Sequence, residues 1–219
     1  MVRRPKIKVT KNGPYIVTGG IPLIKMVIET DEEGHSLSWR EVETYPPRES
    51  YALCRCGQSS KKPYCDGSHV LKKFIGEEIA EKIPYLETVR NIVGPELKLT
   101  DRRDLCVVAA FCVRAGNIWN LTVNSDNLEY RQTAIEQASN CPSGRLVVWD
   151  NNNSPIEPDL KPSIAVTEDQ DGVAGPLWVR GGIEIESEDG YIYEKRNRVT
   201  LCQCGKSKNK PYCDISHLE

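Results

Sequence analysis

Short apolar alternations dominate both ends of the chain. Residues 13–21 read GPYIVTGGI and residues 175–183 read GPLWVRGGI, with apolar residues two positions apart before a glycine pair. A period of two places one face of an extended strand in a core, so both segments predict short β-strands that end in tight turns. Residues 51–54, 199–202 and 191–193 are predicted to be strands for the same reason.

The middle of the chain has a different pattern. Residues 127–140 carry apolar positions at near-helical spacing behind Asn127, which predicts a helix with Asn127 as its N-cap. Residues 145–149, RLVVW, predict a strand. Pro84 interrupts any helix in residues 76–93. Residues 150–172 hold three prolines among polar residues, so residues 151–172 are predicted to be a linker.

Composition excludes several classes of protein. The 219 residues include 39% hydrophobic residues and carry a net charge of −2. The basic excess typical of nucleic-acid-binding proteins is missing. No apolar run approaches the roughly 20 residues that span a bilayer. The first residues are positively charged without an apolar run behind them, so we expect no secretory signal, no membrane anchor and a cytoplasmic protein.

Cysteine carries the chemical information. The nine cysteines fall into three groups of three, which suggests three sites. Cysteines in a reducing compartment are more often metal ligands than disulfide partners. Of the three histidines, two follow the last cysteine of an outer group by four residues. The groups are Cys54, Cys56 and Cys65 with His69; Cys106, Cys112 and Cys141; and Cys202, Cys204 and Cys213 with His217.

The outer groups form an internal repeat. Residues 54–69 read CRCGQSSKKPYCDGSH and residues 202–217 read CQCGKSKNKPYCDISH, so both follow C-x-C-x8-C-x3-H. Such a repeat indicates two copies of one module. In an extended segment Cys54 and Cys56 point to one side and are placed to bind one metal atom. A helical turn beginning at Asp66 would place Cys65 and His69 on one face.

Spacing alone leaves two kinds of metal site open. Two pairs of ligands on opposite sides of a motif suit a cluster of two irons. Three thiolates and one imidazole are also a common ligand set for a single structural Zn²⁺.

The repeated motif resembles the CDGSH iron–sulfur motif, C-x-C-x2-[ST]-x3-P-x-C-D-G-[ST]-H, of mitoNEET-like proteins. The first copy fills every fixed position, and the second departs at Ile215, where the family has glycine. The resemblance implies a [2Fe–2S] cluster at each site, with two cysteines on one iron and the third cysteine and the histidine on the other. The implied ligands are Cys54, Cys56, Cys65, His69, Cys202, Cys204, Cys213 and His217.

The middle cysteines suggest a third cluster. A bacterial ferredoxin has C-x2-C-x2-C with a remote Cys-Pro, whereas here CVVAAFC places Ala109 at the middle position. Three thiolates, from Cys106, Cys112 and Cys141, suit a [3Fe–4S] cluster, and a [4Fe–4S] cluster would need a ligand other than cysteine. The alternative without metal is three cysteines in a small core. Residues 95–150 resemble the divergent single-cluster ferredoxins found beside CDGSH motifs.

These observations predict an α+β fold. Two small β-rich CDGSH modules, residues 1–75 and 173–219, flank a ferredoxin-like α+β insert at residues 76–150. A module this small buries little surface alone, and single-copy relatives are similar to dimers, so we expect an intramolecular pseudo-dimer within a monomer.

The expected function is electron transfer. The alternatives are a donor of iron–sulfur clusters, a redox or pH sensor, and a zinc-stabilised interaction module. No nucleophile–base pair, phosphate loop or organic-cofactor fingerprint suggests an enzyme. The expected partner is a redox protein or an apo iron–sulfur acceptor. Lysines such as Lys61, Lys62 and Lys206 are placed to attract an acidic partner, although ordinary solvated loops carry such lysines too.

Overall fold

The structure is a computed structural model that describes residues 4–218. It is a mixed α+β fold with three sheets and few helices. The strands are Lys6–Val9 (β1), Tyr15–Thr18 (β2), Leu23–Thr30 (β3), Ser36–Thr44 (β4), Ser50–Leu53 (β5), Arg90–Val93 (β6), Lys98–Asp101 (β7), Leu146–Trp149 (β8), Pro155–Ile156 (β9), Ser163–Glu168 (β10), Ala174–Arg180 (β11), Glu184–Glu186 (β12) and Arg198–Leu201 (β13). The α-helices are Ser68–Leu71 (α1), Ile118–Val123 (α2) and Leu128–Asn140 (α3), and 3-10 turns cover Tyr85–Thr88 and Arg103–Leu105.

The two repeat copies exchange strands. One sheet has the order β12-β1-β2-β5, and a second has the order β13-β11-β10-β3-β4. In the first, β12 of the second copy pairs in parallel with β1, placing Ile185 beside Ile7. In the second, β3 of the first copy pairs in parallel with β10, placing Leu23 beside Ile164. The exchange is therefore reciprocal, and the predicted pseudo-dimer is confirmed.

Both copies share one hydrophobic core. Ile7, Val17 and Leu53 from the first copy pack in the same cluster as Val179 and Leu201 from the second. Fully burying an aliphatic side chain stabilises a fold by about 1.5–3 kcal/mol. Since these contacts cross between the copies, neither module has a complete core alone.

The insert has its own core and is held against the second copy. Its core lies between α2, α3 and the sheet β6-β7-β8-β9. The Arg198 side chain is fully buried and donates to the carbonyls of Ser139 (3.2 Å) and Cys141 (2.9 Å). Trp39 of the first copy donates to the Asn140 carbonyl at 2.9 Å and lies 5.3 Å from the Phe111 ring. These contacts fix the insert relative to the two modules.

Several sequence predictions are confirmed. The helix α3 begins directly after Asn127, whose side chain accepts from the backbone N–H groups of Glu129 and Tyr130. It ends before Cys141, because Pro142 cannot continue a helix. The strand predicted at residues 145–149 is β8, and the strands leading into the two motifs are β5 and β13.

Other predictions are wrong. Residues 151–172 are not a simple linker, because they contain β10, which lies in the middle of a sheet. The strand was not predicted because polar residues and prolines come directly before it in the sequence. Residues 191–193 form only an isolated bridge between Ile192 and Glu186 rather than a strand. Residues 1–3 and residue 219, at the ends of the predicted modules, lie outside the described residues.

The two motif loops cross where they meet. A Cβ on Gly205 would lie 2.8 Å from the Cys56 carbonyl oxygen, and one on Gly57 would lie under 3.0 Å from that of Cys204. Only glycine permits this close approach of backbones.

Within residues 4–218, no helix is long and apolar enough to cross a membrane.

Replacing these glycines tests the crossing. Gly57 and Gly67 both have positive φ, 77° and 89°, but a Cβ on Gly67 would meet nothing within 4 Å. Gly67→Ala therefore carries only the left-handed cost of about 1–2 kcal/mol. We expect Gly57→Ala to lower the free energy of unfolding clearly more than Gly67→Ala, as measured by urea unfolding. Equal losses would contradict the crossing.

Candidate metal centres

The first motif brings its cysteines in from two directions. Strand β5 ends at Leu53, directly before Cys54. The Cys54 and Cys56 Sγ atoms lie 3.9 Å apart. The loop returns beside this strand, because the Cys54 N–H donates to the Pro63 carbonyl (2.8 Å) and the Cys65 N–H donates to the Ala52 carbonyl (2.8 Å). Cys54 and Cys56 are both buried.

Cys65 and His69 form a second pair. Their Sγ and Nδ1 atoms are 3.4 Å apart. The turn between them depends on Asp66, whose carboxylate accepts from the Ser60 and Ser68 N–H groups at 2.8 and 3.0 Å. These hydrogen bonds lower the pKa of Asp66. The helix begins at Ser68 with Gly67 as its cap, so the helical turn does not begin at Asp66 as the sequence suggested.

The second motif repeats this construction. The Cys202 and Cys204 Sγ atoms are 3.5 Å apart. The Cys202 N–H donates to the Pro211 carbonyl at 2.9 Å, and Asp214 accepts from the Lys208 N–H at 2.7 Å. Ile215 adopts a left-handed φ of 63° where the first copy has glycine. The turn is therefore kept, although a β-branched residue is strained in that conformation.

His217 is placed differently from His69. Within residues 4–218, no hydrogen bond joins His217 to Cys213, the counterpart of the contact between His69 and Cys65. His217 instead lines a cavity of about 90 Å³ together with Val107, Val108 and Ala109 of the insert. Burial lowers the pKa of His217. Both histidines are half-buried, but only the cavity at His217 has insert residues in its lining.

The three middle cysteines meet at one cavity. Cys106, Cys112 and Cys141 all line an apolar cavity of about 320 Å³. Ala109, at the middle position of the ferredoxin pattern, lines the same cavity. Burial raises the pKa of the Cys112 thiol to about 11, so a positively charged metal is needed to keep it as a thiolate.

The loop between Cys106 and Cys112 is shaped for an anionic group. Val108 and Ala110 both have positive φ, 51° and 60°. Alternating backbone handedness turns successive N–H groups to one side and forms the concave nests that bind anions and iron–sulfur clusters. Arg145 lines the cavity and is fixed by Asp101 through bonds of 2.6 and 2.9 Å. The backbone of this loop therefore suits a negatively charged cluster, and Arg145 adds a half-buried guanidinium whose charge is paired with Asp101.

The second motif also keeps thiols protonated when no metal is bound. The hydrogen bond with Cys204 lowers the pKa of Cys202, while the same contact, together with burial, raises that of Cys204. Burial raises the pKa of Cys213 to about 12. Without a cation, the Cys202–Cys204 pair therefore holds a proton, and a bound metal allows both sulfurs to be thiolates.

Sequence reasoning missed two residues beside the motifs. Tyr15 of the first copy is fully buried and donates to the Cys202 carbonyl of the second motif at 2.8 Å. Arg55, between two predicted ligands, is 1% exposed and donates to the Thr10 carbonyl at 3.1 Å, while its Nε–H has no partner among the described residues. Comparison of the two repeat copies could have pointed to both residues. The second copy has Leu177 where the first has Tyr15, and Gln203 where the first has Arg55.

Comparison with known families agrees with this geometry. The model for "Iron-binding zinc finger CDGSH type" matches residues 12–70 and 174–218, and the model for "Divergent 4Fe-4S mono-cluster" matches residues 92–151. The chain contains two CDGSH iron–sulfur segments. Its two CDGSH segments flank a divergent mono-cluster segment, and the chain is an iron–sulfur protein. Neither the curated proteins nor the solved structures gave a match.

The residues of this CDGSH protein fit iron–sulfur clusters. Thiols are paired in both motifs, and backbone N–H groups donate to Cys65, Cys204 and Cys213 at 3.4–3.5 Å. Hydrogen bonds to sulfur are among the features that set cluster potentials. Arg55, between Cys54 and Cys56 in the chain, is a buried cation whose guanidinium is held by the Thr10 and Gly76 carbonyls, and a buried positive charge near the motif suits an anionic cluster.

Exchanging Arg55 and Gln203 tests how buried charge tunes the outer sites. A buried cation stabilises the more negative, reduced form of a nearby cluster. We expect Arg55→Gln to lower the reduction potential at the first site and Gln203→Arg to raise that at the second, as measured by EPR-monitored redox titration. Unchanged potentials in both variants, with iron content retained, would contradict the placement of Arg55 beside a cluster.

Replacing His69 with cysteine tests the histidine ligand. Thiolate is anionic where imidazole is neutral, so His69→Cys is expected to lower the reduction potential. It should also slow acid-driven iron loss, because protonation of an imidazole ligand breaks its metal bond. Redox titration and the rate of bleaching at acid pH measure the two effects. His35→Cys, at an exposed position, is the control and should change neither.

Proposed function

We propose that this chain holds two [2Fe–2S] clusters and one [3Fe–4S] cluster and acts in electron transfer. The observation that carries the proposal is the pairing of ligands. Cys54 and Cys56 form one pair of donors and Cys65 and His69 form another. The second motif repeats the thiol pair and the backbone bonds of the loop, though not the contact with histidine. In this proposal the chain carries electrons and converts no organic substrate.

The ligand assignment follows the pairs. Cys54 and Cys56 bind one iron of the first cluster, and Cys65 and His69 bind the other, with Nδ1 as the ring nitrogen on the ligand side. Cys202 and Cys204 bind one iron of the second cluster. Cys213 and His217 bind its other iron, which requires the His217 side chain to turn towards Cys213.

The zinc alternative is less well supported. A structural Zn²⁺ needs four ligands gathered around a single ion. Within residues 4–218, no three His, Cys, Asp or Glu side chains lie close enough together to hold one metal ion. Pairs of donors separated from each other favour a group wider than one ion, such as two irons bridged by sulfide.

The middle site favours three irons. Three thiols line its cavity, and the middle position of the ferredoxin pattern, which would supply the remaining ligand, is Ala109 with only a methyl group. A four-iron cluster, which the name of the matching family suggests, needs another donor. Ser143 is the one hydroxyl side chain among the lining residues, and its Oγ lies 3.6 Å from the Cys141 sulfur.

Electron transfer is supported by the contiguity of the three sites. The backbones of Cys56–Gly57 and Cys204–Gly205 touch, so the two outer loops adjoin. His217 and the 107–109 segment of the insert line one small cavity, so the second and middle sites adjoin as well. Bound clusters supply the one-electron chemistry, and the protein residues bury them and set their charge environment.

Anaerobic reductive titration tests the carrier. We expect the clusters to be reduced and reoxidised over repeated cycles without loss of iron. The competing function, cluster donation, is favoured by one observation: His69 lines an open surface cavity of about 420 Å³. Handover of clusters to an apo-ferredoxin, with iron lost from this chain on each cycle, would support the donor instead.

Ala109→Cys tests the middle cluster. A thiol at this position completes four ligands around the cavity, so we expect iron to rise by about one atom per chain as [3Fe–4S] becomes [4Fe–4S]. The oxidised [3Fe–4S] centre is paramagnetic, whereas oxidised [4Fe–4S] and [2Fe–2S] centres are not. The EPR signal of the oxidised protein should therefore disappear.

Ala115→Cys is the matched control, since Ala115 is exposed and does not line the cavity. It should leave iron content and the EPR signal unchanged. An oxidised wild-type protein with no EPR signal, or a signal that Ala109→Cys does not alter, would contradict the three-iron assignment.

A further inference from the structure

An exposed apolar patch surrounds the first histidine. Val70, Leu71 and Ile75 are 69%, 85% and 75% exposed, and α1 buries none of its residues. Val70 and Ile75 line the open cavity of about 420 Å³ that His69 also lines. A contiguous apolar patch on a folded surface is commonly a binding site.

Positive charge surrounds this patch. Lys72 and Lys73 lie within it, and Lys11 lines the same cavity as His69. Lys61 and Lys62 are exposed on the adjoining motif loop. Among the described residues, these five lysines take part in no ion pair. The acidic groups nearest in sequence are Asp66, Glu77 and Glu78. Asp66 is already bonded to Ser60 and Ser68, and Glu78 accepts from the Tyr193 hydroxyl at 2.7 Å.

The second motif has different surroundings. His217 shares a cavity with residues 107–109 of the insert and with the exposed side chains of Val173 and Leu218. Asn209 of the second loop donates to the Asp104 carbonyl at 3.2 Å, and the N–H groups of Ile79 and Ala80 both donate to the Lys210 carbonyl at 2.9 Å. The second motif loop is therefore packed against the insert and the segment before it, whereas the larger cavity at His69 has no insert residue in its lining.

We propose that this surface docks an acidic redox protein. The His69 face consists of Val70, Leu71 and Ile75 with Lys72 and Lys73 around His69. The proposal rests on the electron-transfer function above. Complementary charge steers encounter and orientation, and an apolar centre of this size suits the weak interfaces of transient redox pairs, which bury less than about 1,200 Å².

An anionic membrane surface is the less favoured occupant. Binding flat on a membrane uses a long amphipathic helix with a charged face, whereas α1 has only four residues. The patch also contains a predicted cluster ligand, which places a docked redox partner next to the first site.

Binding of a probe protein tests the proposal. The cluster-loaded chain is titrated with an acidic plant-type [2Fe–2S] ferredoxin at low and high ionic strength, and the dissociation constant is measured by calorimetry. We expect binding that weakens with salt. The double variant Lys72→Glu/Lys73→Glu should weaken it by about tenfold or more, because it reverses the charge at the interface. Leu71→Ser/Ile75→Ser should weaken it without changing its dependence on salt.

The control reverses the same amount of charge elsewhere. Lys161 and Lys195 are exposed outside both motifs, so Lys161→Glu/Lys195→Glu should change the dissociation constant by less than about twofold. The proposal would be overturned if this control weakened binding as much as Lys72→Glu/Lys73→Glu does, or if the ferredoxin showed no salt-sensitive binding. It would also be overturned if Lys72→Glu/Lys73→Glu weakened binding to vesicles containing anionic lipid as much as it weakens binding to the ferredoxin.

Iron content and reductive titration of the same variants separate the two claims. Loss of reversible reduction in the wild-type chain would contradict the electron-transfer function itself. Intact redox cycling with unaltered ferredoxin binding in the Lys72→Glu/Lys73→Glu variant would overturn only the docking surface.

Discussion

The reciprocal exchange of parallel strands holds the whole arrangement together. Because β12 pairs with β1 and β3 pairs with β10, the two copies fold around one core and cannot be separated into independent modules. The same exchange brings the motif loops into contact at Gly57 and Gly205, where side chains would clash. The positions of both outer metal sites are therefore consequences of strand pairing far from the ligands.

Within this symmetric frame the two outer sites are made unequal by a few residues. Tyr15 donates across the pseudo-twofold to the second loop, while its counterpart Leu177 donates nothing. Arg55 adds a buried charge to the first site where the second has Gln203. Residues 107–109 of the insert then share a cavity with the second histidine, whereas no insert residue lines the cavity at His69. Gene repetition supplies two similar sites, and packing of the insert gives them different surroundings.

The ligand motifs were readable from the sequence because their spacing is local. Cysteines two apart and a cysteine–histidine pair four apart come together within one turn or strand, and the helix before Cys141 was marked by Asn127. The exchange of strands could not be predicted from the sequence. The parallel partners lie more than 100 residues apart, and no local sequence pattern indicates which strands pair. Strand β10 was hidden for a similar reason: its apolar residues follow a proline-rich segment, and only tertiary pairing identifies it as a central strand. The placement of His217 against the insert likewise depends on how two separately patterned segments pack.

Metal and sulfide analysis of anaerobically purified protein tests the central claim most directly. If paired thiols and imidazoles hold two-iron clusters at both outer sites, with three irons between them, the chain contains about seven irons and about eight acid-labile sulfides and no zinc. About two zinc ions per chain without sulfide, in a colourless preparation, would contradict the account.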